Sequence, residues 1–427
     1  MEPIVHKKDC ECAEYRELSR RGFLGDAKIF AAALASTPAW MPQIAYSRSS
    51  SGQARDTLVV INLRGGMDGL TGCVPYGDPE LYVKRPTLAV QPPGQPGGAV
   101  DLDGYFGLPP TAAPLLTPYQ NGHLAVVHAT GSTDPTRSHF DAMFYMETAT
   151  PNSGALLATE GWIGRHLATT APVGSGDLRG IGLAPTLAMA LYGGPGAIPV
   201  ADLDAFEFPG RDLTAADRRI ALSNLYSNAV PILQSAANSA MATIDILTAI
   251  DFANYLPENG AVYPATGFGN GMKSIAALIK ANTGVEAAHL DYNGWDHHSG
   301  QGPVDGVYAY MIGDLASTIE AFYLDLQAKL GEITLVVMSE FGRRIEENGT
   351  AGTDHGHGNC MYVMGGNVVG GQVLTQWPGL ANSGNGDLDI TIDYRDILAE
   401  ILADRMGNTS LDVVFPNYTP IFRGITT

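Results

Sequence analysis

Four of the ten histidines fall in two tight groups, His297-His298 and His355-Gly356-His357, and each group follows an aspartate, Asp296 or Asp354. Imidazole and carboxylate together suit Zn or another borderline divalent ion, and oxygen-rich mixed sets also take Mn, Fe or Ca. A single His-Asp pair more often caps a loop or satisfies a buried carbonyl. Two such pairs, with Glu340 between them in sequence, point to a metal. Arg137-Ser138-His139-Phe140-Asp141 opens an apparent helix. A serine there is an ordinary N-cap, and its hydroxyl also faces the positive end of the helix dipole, where an oxyanion is stabilised and a metal lowers its pKa. Arg64, Arg137 and Arg343 could clamp a planar anion such as phosphate, sulfate or carboxylate, or serve as structural ion-pair partners.

These residues need a scaffold that brings them to one place. Short apolar, β-branched runs read as buried strands over 57–63, 124–128, 286–291, 333–338 and 361–364. They are continuous rather than alternating, which predicts a mostly parallel sheet covered on both faces. Helical periodicity falls between them, around 138–148, 214–250, 270–282, 304–330 and 393–405. Such alternation predicts an α/β sandwich with helices on both sides of the sheet. Residues 151–265 hold few clear strands and leave room for a helical insertion or cap. Ligands in open α/β sheets bind beyond the carboxyl ends of the strands. The first strand runs into Arg64-Gly-Gly-Met-Asp68, and the second into Ser132 to His139. The third leads to Gly294-Trp-Asp-His-His298, the fourth to Ser339-Glu-Phe-Gly-Arg343 and then Asp354-His355.

Ser19-Arg20-Arg21-Gly22-Phe23-Leu24 followed by an Ala-rich stretch looks like a twin-arginine signal spanning 1–47, and it is set aside from the fold. Its apolar stretch is too short and too interrupted by Pro38 and Pro42 for stable membrane insertion, which needs about 20 apolar residues. The expected address is periplasmic or secreted, with the twin-arginine export machinery as partner. Charges cancel inside 1–47, so residues 48–427 carry the whole net charge of −19. Excess acid argues against a nucleic-acid partner. Cys10 and Cys12 would leave with the signal. Cys73 and Cys360 stay, as one disulfide or as two buried thiols.

Leu63-Arg-Gly-Gly-Met-Asp-Gly-Leu70, Ser138-His-Phe-Asp141, Gly294-Trp-Asp-His-His298, Ser339-Glu-Phe-Gly-Arg343 and Asp354-His355 together resemble the DUF1501 proteins, exported bacterial proteins of uncharacterised function. That family is distantly similar to the alkaline phosphatase and sulfatase superfamily, whose members cleave phosphate or sulfate esters with metals. The resemblance implies an alkaline phosphatase-like single domain over 48–427. It implies Asp68 as the first-strand metal aspartate and Ser138 as nucleophile. It also implies Asp296 and His298 as middle ligands, Glu340 as the later carboxylate and His355 as the last histidine. No Cys-x-Pro-x-Arg run is present, which argues against formylglycine chemistry.

The expectation is an exported hydrolase of phosphate or sulfate esters, small-molecule or polymer, holding a divalent ion, Zn first. Its ligands are drawn from Asp68, Asp296, His298, Glu340, Asp354, His355 and His357. Ser138 and His139 do the chemistry, with Arg64 and Arg343 stabilising developing charge. The competing expectation is a non-catalytic binding or assembly protein on the same scaffold, since one fold hosts many functions.

Overall fold

The computed structural model describes residues 56–152, 158–208, 210, 212–381 and 385–427. The segment read as an export signal lies outside the described residues. The apolar runs become a nine-stranded sheet. Its strands are β1 (Thr57–Arg64), β2 (Leu124–Gly131), β3 (Gly180–Gly182), β4 (Ala197–Pro199), β5 (Ala287–Asn293), β6 (Ile333–Met338), β7 (Asn359–Gly365), β8 (Val373–Leu374) and β9 (Ile392–Asp393). The order is β8-β2-β7-β6-β1-β5-β3-β4, with β9 pairing on β2.

Within this sheet the strand pairings are parallel except those of β7, which runs antiparallel to both β2 and β6. One reversed strand in the middle of a parallel sheet has a direct consequence for the site. The connection from β6 to β7 never crosses the sheet. It begins and ends at the carboxyl edge of β1, β2, β5 and β6, so all of Ser339–Gly358 stays at the edge where ligands bind in such sheets.

β1 shows why its run is apolar without alternation. Val59, Ile61 and Leu63 pack on one face with Ile275, Leu278, Ile312 and Ile319. Leu58 and Val60 pack on the other with Trp162, Ile163, Ile397 and Leu398. The first face is covered by α5 (Gly267–Lys280) and α6 (Val307–Asp325), the second by α2 (Trp162–Thr169) and α7 (Tyr394–Asp404). Helix α1 (His139–Thr148) follows β2. The helical signal over 214–250 divides into α3 (Ala215–Ser227) and α4 (Pro231–Thr248). Pro231 stands at the first turn of α4, where its missing N–H costs nothing. Within the stretch that showed few strands in sequence, β3 and β4 extend the sheet as short parallel strands beside β5. Their three residues each are too short for a hydropathy pattern.

Cys73 and Cys360 are buried free thiols. Among the described residues, no helix is long and apolar enough to cross a membrane.

Candidate metal centre

β1 and β5 end in register, Arg64 opposite Asn293. The Arg64 carbonyl then accepts from both Gly294 N (3.2 Å) and Trp295 N (3.1 Å), which turns the β5 loop back across the end of β1. Gly65 and Gly66 permit this approach. Both have positive φ, +118° and +64°, and a Cβ on Gly65 would stand 2.6 Å from the Asp296 amide. A Cβ on Gly66 would stand 2.5 Å from the Phe341 ring. In the β6–β7 connection, Arg343 and His355 form an antiparallel bridge, flanked by Gly342 N to His357 O at 2.8 Å and Arg344 N to Asp354 O at 2.9 Å. At the end of β2, Ser138 caps α1 by accepting from Asp141 N at 3.5 Å, which places His139 in the first helical turn.

Three imidazoles converge on one carboxylate oxygen. His298 Nε2 lies 3.1 Å from Asp296 Oδ1, His355 Nε2 3.2 Å and His139 Nε2 3.6 Å. Each ring is held from behind through its other nitrogen. His139 Nδ1 meets Glu340 Oε1 at 2.8 Å, His298 Nδ1 meets Asp354 Oδ1 at 3.0 Å, and His355 Nδ1 meets the Arg137 carbonyl at 2.8 Å. These three partners are acceptors, so each Nδ1 must donate. A neutral ring then presents the Nε2 lone pair inward. Histidines that ligate metals are oriented in the same way, by a carboxylate or carbonyl on the far nitrogen.

The inward atoms are poorly matched to one another. His298 Nε2 and His355 Nε2 stand 3.0 Å apart, and His139 Nε2 is buried with no hydrogen-bond partner. His139, Asp296 and His355 present atoms that all lie within 4.8 Å of one another, a spacing that could hold one ion. Three carboxylates surround the rings, Asp296, Glu340 and Asp354, and Arg343 pairs with Asp296 alone among them, its Nη2 donating to Oδ1 at 2.7 Å. That leaves an excess of negative charge around the imidazoles, which a proton on His139 answers when no ion is bound. A divalent cation satisfies both the lone pairs and the charge, so the residues present fit a metal.

Electrostatics follow the same pattern. Burial works against ionised Asp296, but His139, His298, His355 and Arg343 hold its carboxylate far below the ordinary range. Burial likewise opposes charge on His139, yet the Asp296 and Glu340 carboxylates outweigh it and raise the ring to about 9. Burial disfavours ionised Glu340 too, and His139 and the Gly65 amide reverse that and lower it. Phe341 packs against the His139 and His355 rings at 4.8 and 4.9 Å, giving the centre an apolar wall. His298 retains 28% of its side-chain exposure, against 13% and 11% for His139 and His355, so solvent reaches the centre from the His298 side. An open side separates catalytic from structural metal sites.

Several sequence expectations change. Asp68 is not at the centre. It is fully buried in an ion pair with Arg85 (2.5 Å) and accepts from Thr71 and Gln301. Glu340 and Asp354 contact histidines through Nδ1, so they orient the rings instead of joining the inward set. His357 lies outside the cluster, on the wall of a neighbouring cleft. Arg64 is not free to clamp a substrate: it is half-buried between Asp291 (2.8 Å) and Glu147 (3.0 Å), two opposite charges that fix it. Arg343 is also fully engaged, donating to the carbonyls of Gly65, Gly66, Trp295 and Thr353 as well as to Asp296. It is a brace for three loops. His139, expected to act in catalysis, presents its Nε2 with the inward set. Its sequence signal was its place just after a helix cap at a strand end. Ser138 sits between the Arg137 carbonyl that holds His355 and the His139 ring. The second histidine of its pair, His297, is buried away from the cluster against Trp295 and Tyr308, and burial lowers it to about 4.

The family model described as "Protein of unknown function (DUF1501)" matches residues 55–410. No curated protein matches the chain. Among solved structures, the C-terminal periplasmic domain of EcEptC from Escherichia coli in complex with Zn is 11% identical, with a TM-score of 0.37 over 91% of this chain and 94% of that one. Alkaline phosphatase from the Antarctic bacterium TAB5 is 8% identical, with a TM-score of 0.28 over 73% and 92%. Phosphonate monoester hydrolase of Agrobacterium radiobacter is 10% identical, with a TM-score of 0.31 over 86% and 79%.

Proposed function

The chain belongs to the DUF1501 family, and from that premise we propose that it is an exported, metal-dependent hydrolase of phosphate or sulfate esters. The supporting observation is the convergence of three Nε2 atoms on Asp296, each ring held through Nδ1 by an acceptor. His139, Asp296, His298 and His355 would hold the ion. When bound, a divalent cation supplies Lewis-acid polarisation of the ester oxygen and lowers the pKa of a hydroxyl brought to it.

The chain's own residues supply the rest. Ser138 Oγ takes only a long hydrogen bond from Asp141 N, 3.5 Å, so little holds it back from a substrate. Its attack forms an Oγ–phosphorus (or sulfur) bond and breaks the bond to the alcohol, and the serine proton ends on the departing alcohol. Water then cleaves the covalent intermediate and returns the proton to Ser138. The N-terminus of α1 stabilises negative charge at that point. Phe341 keeps water from one side of the centre.

Purified protein loaded with Zn or Mn is expected to hydrolyse p-nitrophenyl phosphate or sulfate, and Ser138→Ala to lose at least a hundredfold in kcat with metal content unchanged. Full turnover by Ser138→Ala removes the serine from the nucleophile role. One observation favours the competing binder: Arg64, Arg137 and Arg343 are all engaged by carboxylates, which leaves none of the three to clamp an oxyanion. On that reading the metal-loaded protein turns over neither ester.

A further inference from the structure

No residue of helix α3 is buried, so its apolar side chains Ile220 (60% exposed) and Leu225 (70%) stand in solvent. Arg219 on α3 pairs with Asp245 on α4, which makes the two helices a hairpin. Along α4, Leu233, Ala240 and Leu247 recur every seven residues and therefore share one face, as do Ala236 and Thr243. That face has two fates. At the C-terminal end it is anchored: Leu247 and Thr243 are buried, Leu247 in the core cluster of α5 and α6, and Ser239 and Thr243 donate to Asp177 at 2.9 and 3.0 Å. At the N-terminal end Leu233, Ala236 and Ala240 carry the same face out into solvent. Single exposed apolar residues are ordinary. An apolar stripe that runs on past its anchorage, beside a helix that buries nothing, marks a contact surface.

Charge selects the occupant. From Ile220 to Ile244 the sequence carries no Asp, Glu, Lys or Arg, although these make up 16% of the chain. The exposed polar side chains there include Ser223, Asn224, Ser235 and Asn238, uncharged groups that pair with their own kind. A chain of net charge −19 repels a second copy where charged surfaces meet. Contact through an uncharged face avoids that repulsion. A basic partner would find no carboxylate on this stretch. A lipid surface fits less well, because interfacial helices combine Lys and Arg on one side with Trp, Phe or Leu on the other, and 220–244 has no Lys, Arg, Trp or Phe.

We infer that the α3–α4 hairpin is a self-association surface on which two copies of the chain pack about a two-fold axis. Two helical hairpins placed face to face make a four-helix bundle, which covers the exposed end of the α4 stripe in both copies at once. Each copy offers the same patch, so Ile220, Leu225 and Leu233 are buried from both sides, in a contact that for a stable dimer covers about 800 Å² per partner. The metal-centre residues lie outside α3 and α4. The inference therefore does not rest on the hydrolase reading.

Sedimentation equilibrium of the full chain, loaded with Zn, is the test. The unsubstituted protein is expected to be a dimer at micromolar concentration. Ile220→Glu/Leu225→Glu sets like charges face to face and is expected to weaken association at least a hundredfold. Circular dichroism and metal content should not change, because neither side chain is packed in the fold. Ile220→Lys/Leu225→Lys is expected to be monomeric alone, and a mixture of the two variants to form dimers holding one of each, since opposite charges then meet. Val83→Glu/Ile421→Glu, at exposed apolar positions on other segments, should leave the dimer intact. A monomer at every concentration overturns the proposal, and so does a mixture of the Glu and Lys variants that stays monomeric. A dimer that survives both hairpin variants, or that the Val83 and Ile421 substitutions break equally, puts the contact elsewhere and overturns it too. Cosedimentation of a monomeric chain with phosphatidylcholine vesicles, lost in Ile220→Glu/Leu225→Glu, would assign the hairpin to a lipid surface instead.

Discussion

Glu340 meets the metal centre only through the imidazole it holds, at 2.8 Å from His139 Nδ1. Partners of this kind fix ring orientation and raise ligand basicity, and their loss typically costs about 10–100-fold in metal affinity. Glu340→Gln is accordingly expected to weaken Zn binding within that range while still binding one ion, measured by competition with a chromogenic chelator. Wild-type affinity in that variant would place Glu340 outside the device. Asp68 makes the opposite prediction. Because it neutralises buried Arg85, Asp68→Asn leaves an uncompensated charge and is expected to cost about 3–5 kcal/mol in denaturant melts. Metal stoichiometry in the protein that still folds should not change. Residue types alone did not separate these two carboxylates, both of which follow a strand in sequence. Which one reaches the centre depends on where Arg85, outside every motif, comes to rest.

At the scale of elements, the site depends on loops pressed together at glycine. Gly65→Ala would put a Cβ 2.6 Å from the Asp296 amide at a positive φ, so the loop bearing Asp296 and His298 must move. The expected result is loss of most bound metal together with a lower melting temperature, read by elemental analysis and calorimetry. An alanine variant with full metal content would show that the two loops need not touch. The principal strands and helices were legible in the sequence, because β1, β2, β5, β6 and β7 are apolar on both faces and the longer helices carry a clear period. Strand direction was not. Hydropathy is the same read either way along β7, yet its antiparallel course is what keeps Glu340, Arg343, Asp354 and His355 at one edge. Nor could spacing reveal which histidine of a neighbouring pair turns inward. His298 does and His297 does not, because Trp295 and Tyr308 form a buried recess for the latter.

For the whole molecule, buried neutral histidines link the fold to pH. His128 is buried in the sheet. Its Nε2 donates to the Cys73 carbonyl (2.8 Å) and its Nδ1 accepts from Ala129 N (2.7 Å), an arrangement that only the neutral ring can make. Burial lowers it from 6.5 to about 4, and burial lowers His289 as well. Between those two pH values the unfolded chain binds a proton that folded His128 refuses. The stability it contributes is therefore present above pH 6.5 and lost as pH falls towards 4, about 3 kcal/mol for this ring. Metal-free protein should show a shallower acid limb in melts of His128→Gln than in the unsubstituted chain, and equal limbs would assign acid sensitivity to other groups. The net charge of −19 belongs mostly to solvated surface, and only a few of its carboxylates gather around the three imidazoles. Whether that gathering exists to hold an ion is tested most directly by elemental analysis of the purified protein after loading and desalting. The centre described here predicts close to one divalent ion per chain, falling below a tenth in a folded His298→Ala/His355→Ala variant. No retained ion under any loading condition, or the same content in that variant, would contradict it.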